Sequence, residues 1–196
     1  MSEVDLYIGN TIRVFGRNLK ILKYLDKETE IILRDKAERT YAMLKPEVIN
    51  QMGKIISVIE ERGFRINQMI LTEFTPKTVA EFYKEHQGKP FFEPLVQYIS
   101  SGPVLAMELL APSAVANWRK TLGPTDPSKA REESPDSIRS LFGTDKTFNA
   151  AHGSDSIESA SRELNLIFST QRSHLKDSNN YTLCLVKPHV IAEGNL

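Results

Sequence analysis

The sequence predicts an α+β protein in which helices pack on a mainly antiparallel sheet, and three observations carry that reading. Between Glu38 and Phe168, short β-like runs alternate with segments of helical periodicity. Proline and glycine fall at the joints between those runs. Helical stretches recur between the strands, so strands and helices share one core.

The first segment, residues 1–37, reads as β-rich. From Leu6 to Leu33 it alternates in short runs, Ile12-Arg13-Val14 and Leu19-Lys20-Ile21, separated by Gly16-Arg17-Asn18 and later by Asp26-Lys27-Glu28. A hairpin or meander of this size buries too little to stand alone, so it packs on the main domain or is the remnant of a larger module.

The main domain, residues 38–168, opens with a strand from Thr40 to Leu44 that runs into Lys45-Pro46, where the proline stops the ladder. Met52, Ile55, Ile56 and Ile59 then fall on one helical face, and Gly63 supplies a left-handed cap. Phe64 to Phe74 reads as a second strand. Thr75 to His86 reads as a helix with Pro76 in its first turn, and Phe91 to Ile99 as another. Val104 to Leu110 is the third strand, and Ser113 is suited to cap the helix that carries Trp118 and Arg119. The stretch Gly123 to Asp136, dense in Pro, Ser, Asp and Lys, reads as an exposed loop. A short strand near Phe148 to Ala151 precedes the last helix. Ser154 or Asp155 is expected to cap that helix, and Ile157, Ala160, Leu164 and Ile167 to line its buried face.

Residues 169–180 are polar and read as a linker. Residues 181–196 then restate an earlier pattern: Tyr181 to Pro188 is an apolar strand running into Lys-Pro, as Thr40 to Pro46 is. The segment reads as the start of a second, truncated repeat.

The 196 residues carry 25 Lys plus Arg against 25 Asp plus Glu, so net charge supplies no broad footprint for nucleic acid or an anionic membrane. Any basic cluster must be local. The single cysteine, Cys184, has no partner within the chain and fits a reducing compartment. The amino terminus lacks the pattern of a signal peptide, and the longest apolar stretch, Val104 to Ala111, is broken by Glu108. The expectation is a cytoplasmic protein.

The chemistry centres on Asn149-Ala150-Ala151-His152-Gly153-Ser154-Asp155-Ser156. This places a histidine after a short strand and at the mouth of a helix, whose free amides and dipole favour an anion. Neutral imidazole is a competent nucleophile. Glu163, eleven residues on, is placed to orient the ring directly or through Ser154. The chain offers no Gly-rich phosphate loop, so side chains must clamp any phosphate. Lys45, Arg119, Thr125 and Arg139 are the candidates.

Lys45-Pro46, Pro90-Phe91-Phe92, Ser101-Gly102-Pro103, Leu122-Gly123-Pro124-Thr125, Ser137-Ile138-Arg139 and Asn149 through Asp155 occur in the order of the nucleoside diphosphate kinases. The resemblance covers roughly Glu38 to Phe168 and implies that family's ferredoxin-like fold. It also implies a ping-pong transfer of a terminal phosphate from a nucleoside triphosphate to a nucleoside diphosphate through phosphorylated His152. By the same resemblance Lys45, Tyr83, Arg119, Thr125, Arg139 and Asn149 handle phosphates and ribose, Phe92 stacks on the base, and Glu163 with Ser154 sets the histidine. Mg2+ would be held mainly by the nucleotide's phosphates, with no metal ligands on the protein.

With the segment ahead of the domain and the second Lys-Pro behind it, the chain resembles the tandem-domain branch of that family, associated with centrosomes and ciliary microtubules. That branch implies protein partners of the cytoskeleton and, as an alternative function, a scaffold with weak catalysis. Two departures stand out: Lys129 to Asp136 is a few residues longer than in compact members, and Glu47 replaces the usual aspartate. Elsewhere His86 reads as a surface residue, Tyr83, Phe91, Phe92 and Tyr98 as core by residue type, and His174 and His189 as lying outside any complete site.

Overall fold

The computed structural model describes residue 6 and residues 11–34 and 38–169. The second Lys-Pro segment, with Cys184 and His189, and the linker histidine His174 lie outside those residues.

Strands β1 (Thr11–Val14) and β2 (Arg17–Lys20) pair antiparallel. The two residues between them, Phe15 and Gly16, have φ of 47° and 78°, as a tight hairpin turn demands. The expected third β run is instead helix α1 (Lys27–Arg34). The cause is a strong start signal: the Asp26 carboxylate accepts from the Thr29 amide at 2.7 Å and from its hydroxyl at 2.9 Å. Glu28 and Glu30 then sit favourably in the first turn.

The main sheet has the order β4-β5-β3-β6, formed by β3 (Glu38–Leu44), β4 (Arg65–Glu73), β5 (Pro103–Ala111) and β6 (Ala151–Gly153). Every neighbouring pair is antiparallel, with β3 and β5 in register from Glu38↔Ala111 to Leu44↔Leu105. This is the ferredoxin-like arrangement expected from the sequence. The helices are α2 (Met52–Glu61), α3 (Pro76–Phe82), α4 (Phe92–Ile99), α5 (Ala114–Leu122), α6 (Pro127–Glu133), α7 (Ile138–Phe142) and α8 (Ile157–Phe168).

Both faces of the central strands are buried, which is why β3 and β5 read as near-continuous apolar runs rather than alternating ones. Ala42, Leu44, Leu105, Met107 and Leu109 belong to a core with Ile55 and Ile59 of α2 and Trp118 and Leu122 of α5. Tyr41, Met43, Val104 and Ala106 belong to another, with Val79, Phe82, Val96, Ile99, Leu164 and Ile167 of α3, α4 and α8. Glu108, which interrupts the apolar run, is 1% exposed yet fully engaged. Its carboxylate accepts from Arg39 at 3.2 Å, Asn67 at 2.6 Å and Gln68 at 2.7 Å, the last two brought together by a bulge in β4.

Several local expectations are corrected. The presumed loop Gly123 to Asp136 contains α6, because Asp126 caps it by accepting from the Ser128 amide at 3.0 Å, Pro127 occupies the first turn, and Pro127 and Ala130 are buried. The helix expected from Thr75 to His86 stops at Phe82 and is followed by a separate 3-10 turn, Lys84–His86. Ser113 does not cap α5: its φ is 48° and its hydroxyl makes no capping bond. Glu38 performs that task from β3, accepting the Val115 amide at 2.8 Å. Ser156, rather than Ser154 or Asp155, caps α8 through the Ser159 amide at 3.1 Å. Ile157 is 57% exposed, whereas Ala160, Leu164 and Ile167 are buried as expected. Among the described residues no helix is long and apolar enough to cross a membrane.

Candidate active site

His152 lies in the middle of β6, opposite Met43 of β3, rather than at the mouth of α8, since Gly153 to Ser156 separate it from that helix. The strand alternation fixes its surroundings. Ala151 belongs to the α2 and α5 core, while the His152 ring packs at 5.1 to 6.0 Å from Tyr41, Phe82 and Tyr83 on the opposite side. The backbone is held from behind: Trp118 donates its indole N–H to the His152 carbonyl at 3.2 Å. A Cβ on Gly153 would fall 2.4 Å from the Trp118 ring, so only glycine permits that approach.

The polar chain behind the ring is short and buried. His152 Nε2 lies 3.2 Å from Glu163 Oε2, and the Ser154 hydroxyl donates to the same oxygen at 2.7 Å. Ser154 is locked in turn, since its oxygen accepts the Tyr41 amide and its own amide donates to the Tyr41 carbonyl, both at 3.3 Å. A carboxylate oxygen only accepts, so the tautomer that satisfies this contact has its proton on Nε2 and its lone pair on Nδ1.

A cleft of about 580 Å³ opens in front of His152. Of the residues expected in the site, Lys45, Tyr83, Arg119, Thr125, Arg139, Asn149, His152 and Glu163 line it, while Ser154 supports it from behind. Five cationic side chains face it, those of Lys45, Arg119, Arg139, Lys146 and Arg162, against the carboxylates of Glu85, Asp155 and Glu163. A neutral chain thus concentrates positive charge at one concavity.

The floor is built by hydrogen bonds. Lys45 Nζ donates to the Thr147 carbonyl at 3.0 Å and to Asn149 Oδ1 at 2.7 Å, and burial holds its pKa down to about 8. The Asn149 amide donates to the Thr125 and Lys146 carbonyls at 3.1 and 3.0 Å, so this residue ties the loop together. Arg139 donates to the Gly123 carbonyl at 2.9 Å and the Ala151 carbonyl at 3.2 Å, and its buried Nε has no partner. Burial, then the charge of Arg119, lowers its pKa to about 10. Burial and the Glu163 charge raise the Tyr83 hydroxyl above its usual range, so it stays protonated.

Two residues ahead of the histidine, Ala150 adopts φ of 70° and donates its amide to Glu47 Oε1 at 2.9 Å. The other Glu47 oxygen accepts from the Tyr98 hydroxyl. The glutamate found where an aspartate was expected therefore pins a strained turn.

One expected residue is misplaced. Phe92 is buried in the second core and does not reach the cleft; Phe91, 51% exposed, lines it. The spacing of Phe92, Val96 and Ile99 was a usable signal, because it assigns the inward face of α4 and leaves Phe91 outside it. His86 is also corrected: it lines the cleft, stacked on Tyr83 at 6.0 Å and edge-on to Phe91 at 5.6 Å. Lys146 and Arg162 went unread, for no local pattern sets them apart from other surface cations.

This fold, and a cationic cleft floored by a carboxylate-bound histidine, define a class. The chain belongs to the nucleoside diphosphate kinase family, whose sequence model matches residues 38–173. It is 42% identical to nucleoside diphosphate kinase homolog 7 of Rattus norvegicus over 196 residues, which covers 98% of this chain and 50% of the rat protein. The mouse homolog 7 gives 41% with the same coverage, so the chain spans about half the length of these relatives. The nucleoside diphosphate kinase of Aquifex aeolicus is 45% identical over 134 residues, covering 67% of this chain and 94% of that protein. A crystal structure of the A. aeolicus enzyme superposes with a TM-score of 0.67 at 44% identity, over 68% of this chain and 96% of that one.

Proposed function

We propose that this chain is an active nucleoside diphosphate kinase with His152 as the phosphate carrier. The observation that supports it most is the hydrogen-bonded line from Ser154 and Glu163 to His152 Nε2, set at the floor of a cationic cleft. With Nε2 protonated, Nδ1 attacks the terminal phosphorus of a nucleoside triphosphate. The bond to the bridging oxygen breaks, and that oxygen leaves with the nucleoside diphosphate. Glu163 balances the positive charge gained by the imidazole. A second nucleoside diphosphate then attacks the phosphohistidine with a terminal phosphate oxygen, and Nδ1 leaves with its lone pair restored.

Lys45, Arg119 and Arg139 offset charge on the phosphates, where positioning and electrostatics supply most of the catalysis. Phe91 offers its face to a base, and aromatic stacking tolerates any base. The mostly cationic donor set suits magnesium that arrives on the phosphates of the nucleotide substrate.

We also read residues 38–168 as the catalytic unit, 169–180 as a linker and 181–196 as the opening of a second repeat, in keeping with the coverage of homolog 7. A second reading is a scaffold of centrosomal or ciliary microtubules with little turnover. Its support is apolar surface that kinase chemistry does not use, at Phe15, Leu22 and Leu25 of the amino-terminal segment.

Incubation with γ-labelled ATP and magnesium separates the two. The kinase reading expects an acid-labile, base-stable phosphoprotein that GDP discharges to GTP and that His152→Ala abolishes. Folded chain that binds nucleotide and takes up no label overturns it in favour of the scaffold.

A further inference from the structure

Arg162 precedes Glu163 on α8 and faces the cleft, yet the reaction described above gives it no part. Its guanidinium reaches three acceptors. Nη1 donates to the Phe82 carbonyl at 3.3 Å; Nη2 pairs with Glu85 Oε1 at 3.1 Å and lies 3.8 Å from Glu163 Oε1. The Phe82 carbonyl ends α3, where the last carbonyls lack helical partners and a cationic donor is favoured. Directly after it come Tyr83 and the turn Lys84–His86, which present two of the rings that line the cleft.

The Glu163 carboxylate is divided between two tasks. Oε2 takes His152 and Ser154, while Oε1 faces Arg162. Rotation of the carboxylate would therefore disturb both ends at once. Glu85 is 58% exposed and contributes little alone, but Arg162 is only 28% exposed and meets its acceptors with a planar fork that lysine lacks.

We propose that Arg162 is a positioning residue, a clasp that ties the Tyr83–His86 segment to α8 and holds Glu163 in the orientation His152 needs. This deepens the kinase reading and rests on it for its kinetic consequence. Through the clasp, order in the segment that meets the nucleoside and orientation of the nucleophile become one property. Loss of Arg162 then affects nucleotide affinity and phosphate transfer together, whereas loss of Glu85 loosens the segment alone.

The test compares wild type with Arg162→Ala, Arg162→Lys and Glu85→Gln, using amide hydrogen exchange of residues 82–89 without nucleotide and steady-state phosphate exchange between ATP and GDP. For Arg162→Ala the expectation is segment exchange faster by about tenfold, KM raised about fivefold and kcat lowered about threefold. Glu85→Gln is expected to raise KM about twofold with kcat unchanged, and Arg162→Lys to restore less than half of either loss. Segment exchange and both constants within about twofold of wild type in Arg162→Ala would overturn the clasp. If that variant folds poorly, Arg162→Lys and Glu85→Gln carry the same comparison. A wild-type chain that takes up no phosphate defeats the kinase reading, and hydrogen exchange still decides the clasp.

Discussion

The two faces of the main sheet are packed from the same strands and differ in kind. On the side of α2 and α5, Ile55, Ile59, Met107, Leu109, Trp118 and Leu122 form an apolar core. On the side of α3, α4 and α8 the packing includes Tyr41, Tyr83 and Phe82, and its edge opens at His152, Glu163 and Ser154. One face holds the strand that carries His152, and the other surrounds the His152 ring. Burial contributes in proportion to area and tolerates no gap, whereas the reactive face depends on a few oriented bonds.

Mutations can break that contrast. Trp118→Ala removes a fully buried ring and the donor to the His152 carbonyl, with an expected loss of about 3–5 kcal/mol in a urea unfolding titration. Glu163→Gln should leave the unfolding midpoint nearly unchanged and slow phosphohistidine formation by about thirtyfold, near 2 kcal/mol, in a rapid-quench labelling assay. If it instead unfolds the chain without a specific rate defect, the division between the faces fails.

Neighbouring phenylalanines sharpen the contrast at the start of α4. Phe91→Ala is expected to raise nucleotide KM by about tenfold at unchanged stability, from the loss of one stacking face. Phe92→Ala should lower the melting temperature and leave KM of the folded fraction alone.

The floor of the cleft adds a pH dependence. Lys45 is held down to about 8 by burial, and phosphate favours its ammonium form, so nucleotide binding raises that pKa and takes up a proton above pH 8. Affinity measured by calorimetry should therefore fall as pH rises from 8 to 9, and Lys45→Met should flatten that limb. Arg139, held down only to about 10, retains its charge over the same range.

The smallest expected effect concerns a cap. Ser113→Ala should change stability by less than about 0.5 kcal/mol in thermal melts, since the hydroxyl caps nothing, while Glu38→Gln should cost about 1 kcal/mol.

What could be read from sequence had local causes. The Lys45-Pro46 joint, the left-handed Gly63 and the 52, 55, 56, 59 spacing are decided by sterics and helix period, so β3 and α2 are legible in the sequence. The segment around His152 was legible because its residue types are chemically constrained. The misreadings have two causes: caps at Asp26 and Asp126 start helices within segments rich in turn residues, and neighbours supplied by the fold displace local signals elsewhere. Ser113 has the residue type of a cap, but Glu38 from another strand fills the role. His86 has a polar neighbourhood in sequence, but Tyr83 and Phe91 enclose it.

The sequence by itself determined the alternation of strands and helices and the family, and it singled out His152 as the candidate nucleophile, because each depends on residue types in a fixed local pattern. Tertiary structure decided which partners Glu47 and Arg162 meet, and that a chain of zero net charge gathers five cations in one place. Those are contacts between residues far apart in sequence, and only closure of the sheet brings them within reach.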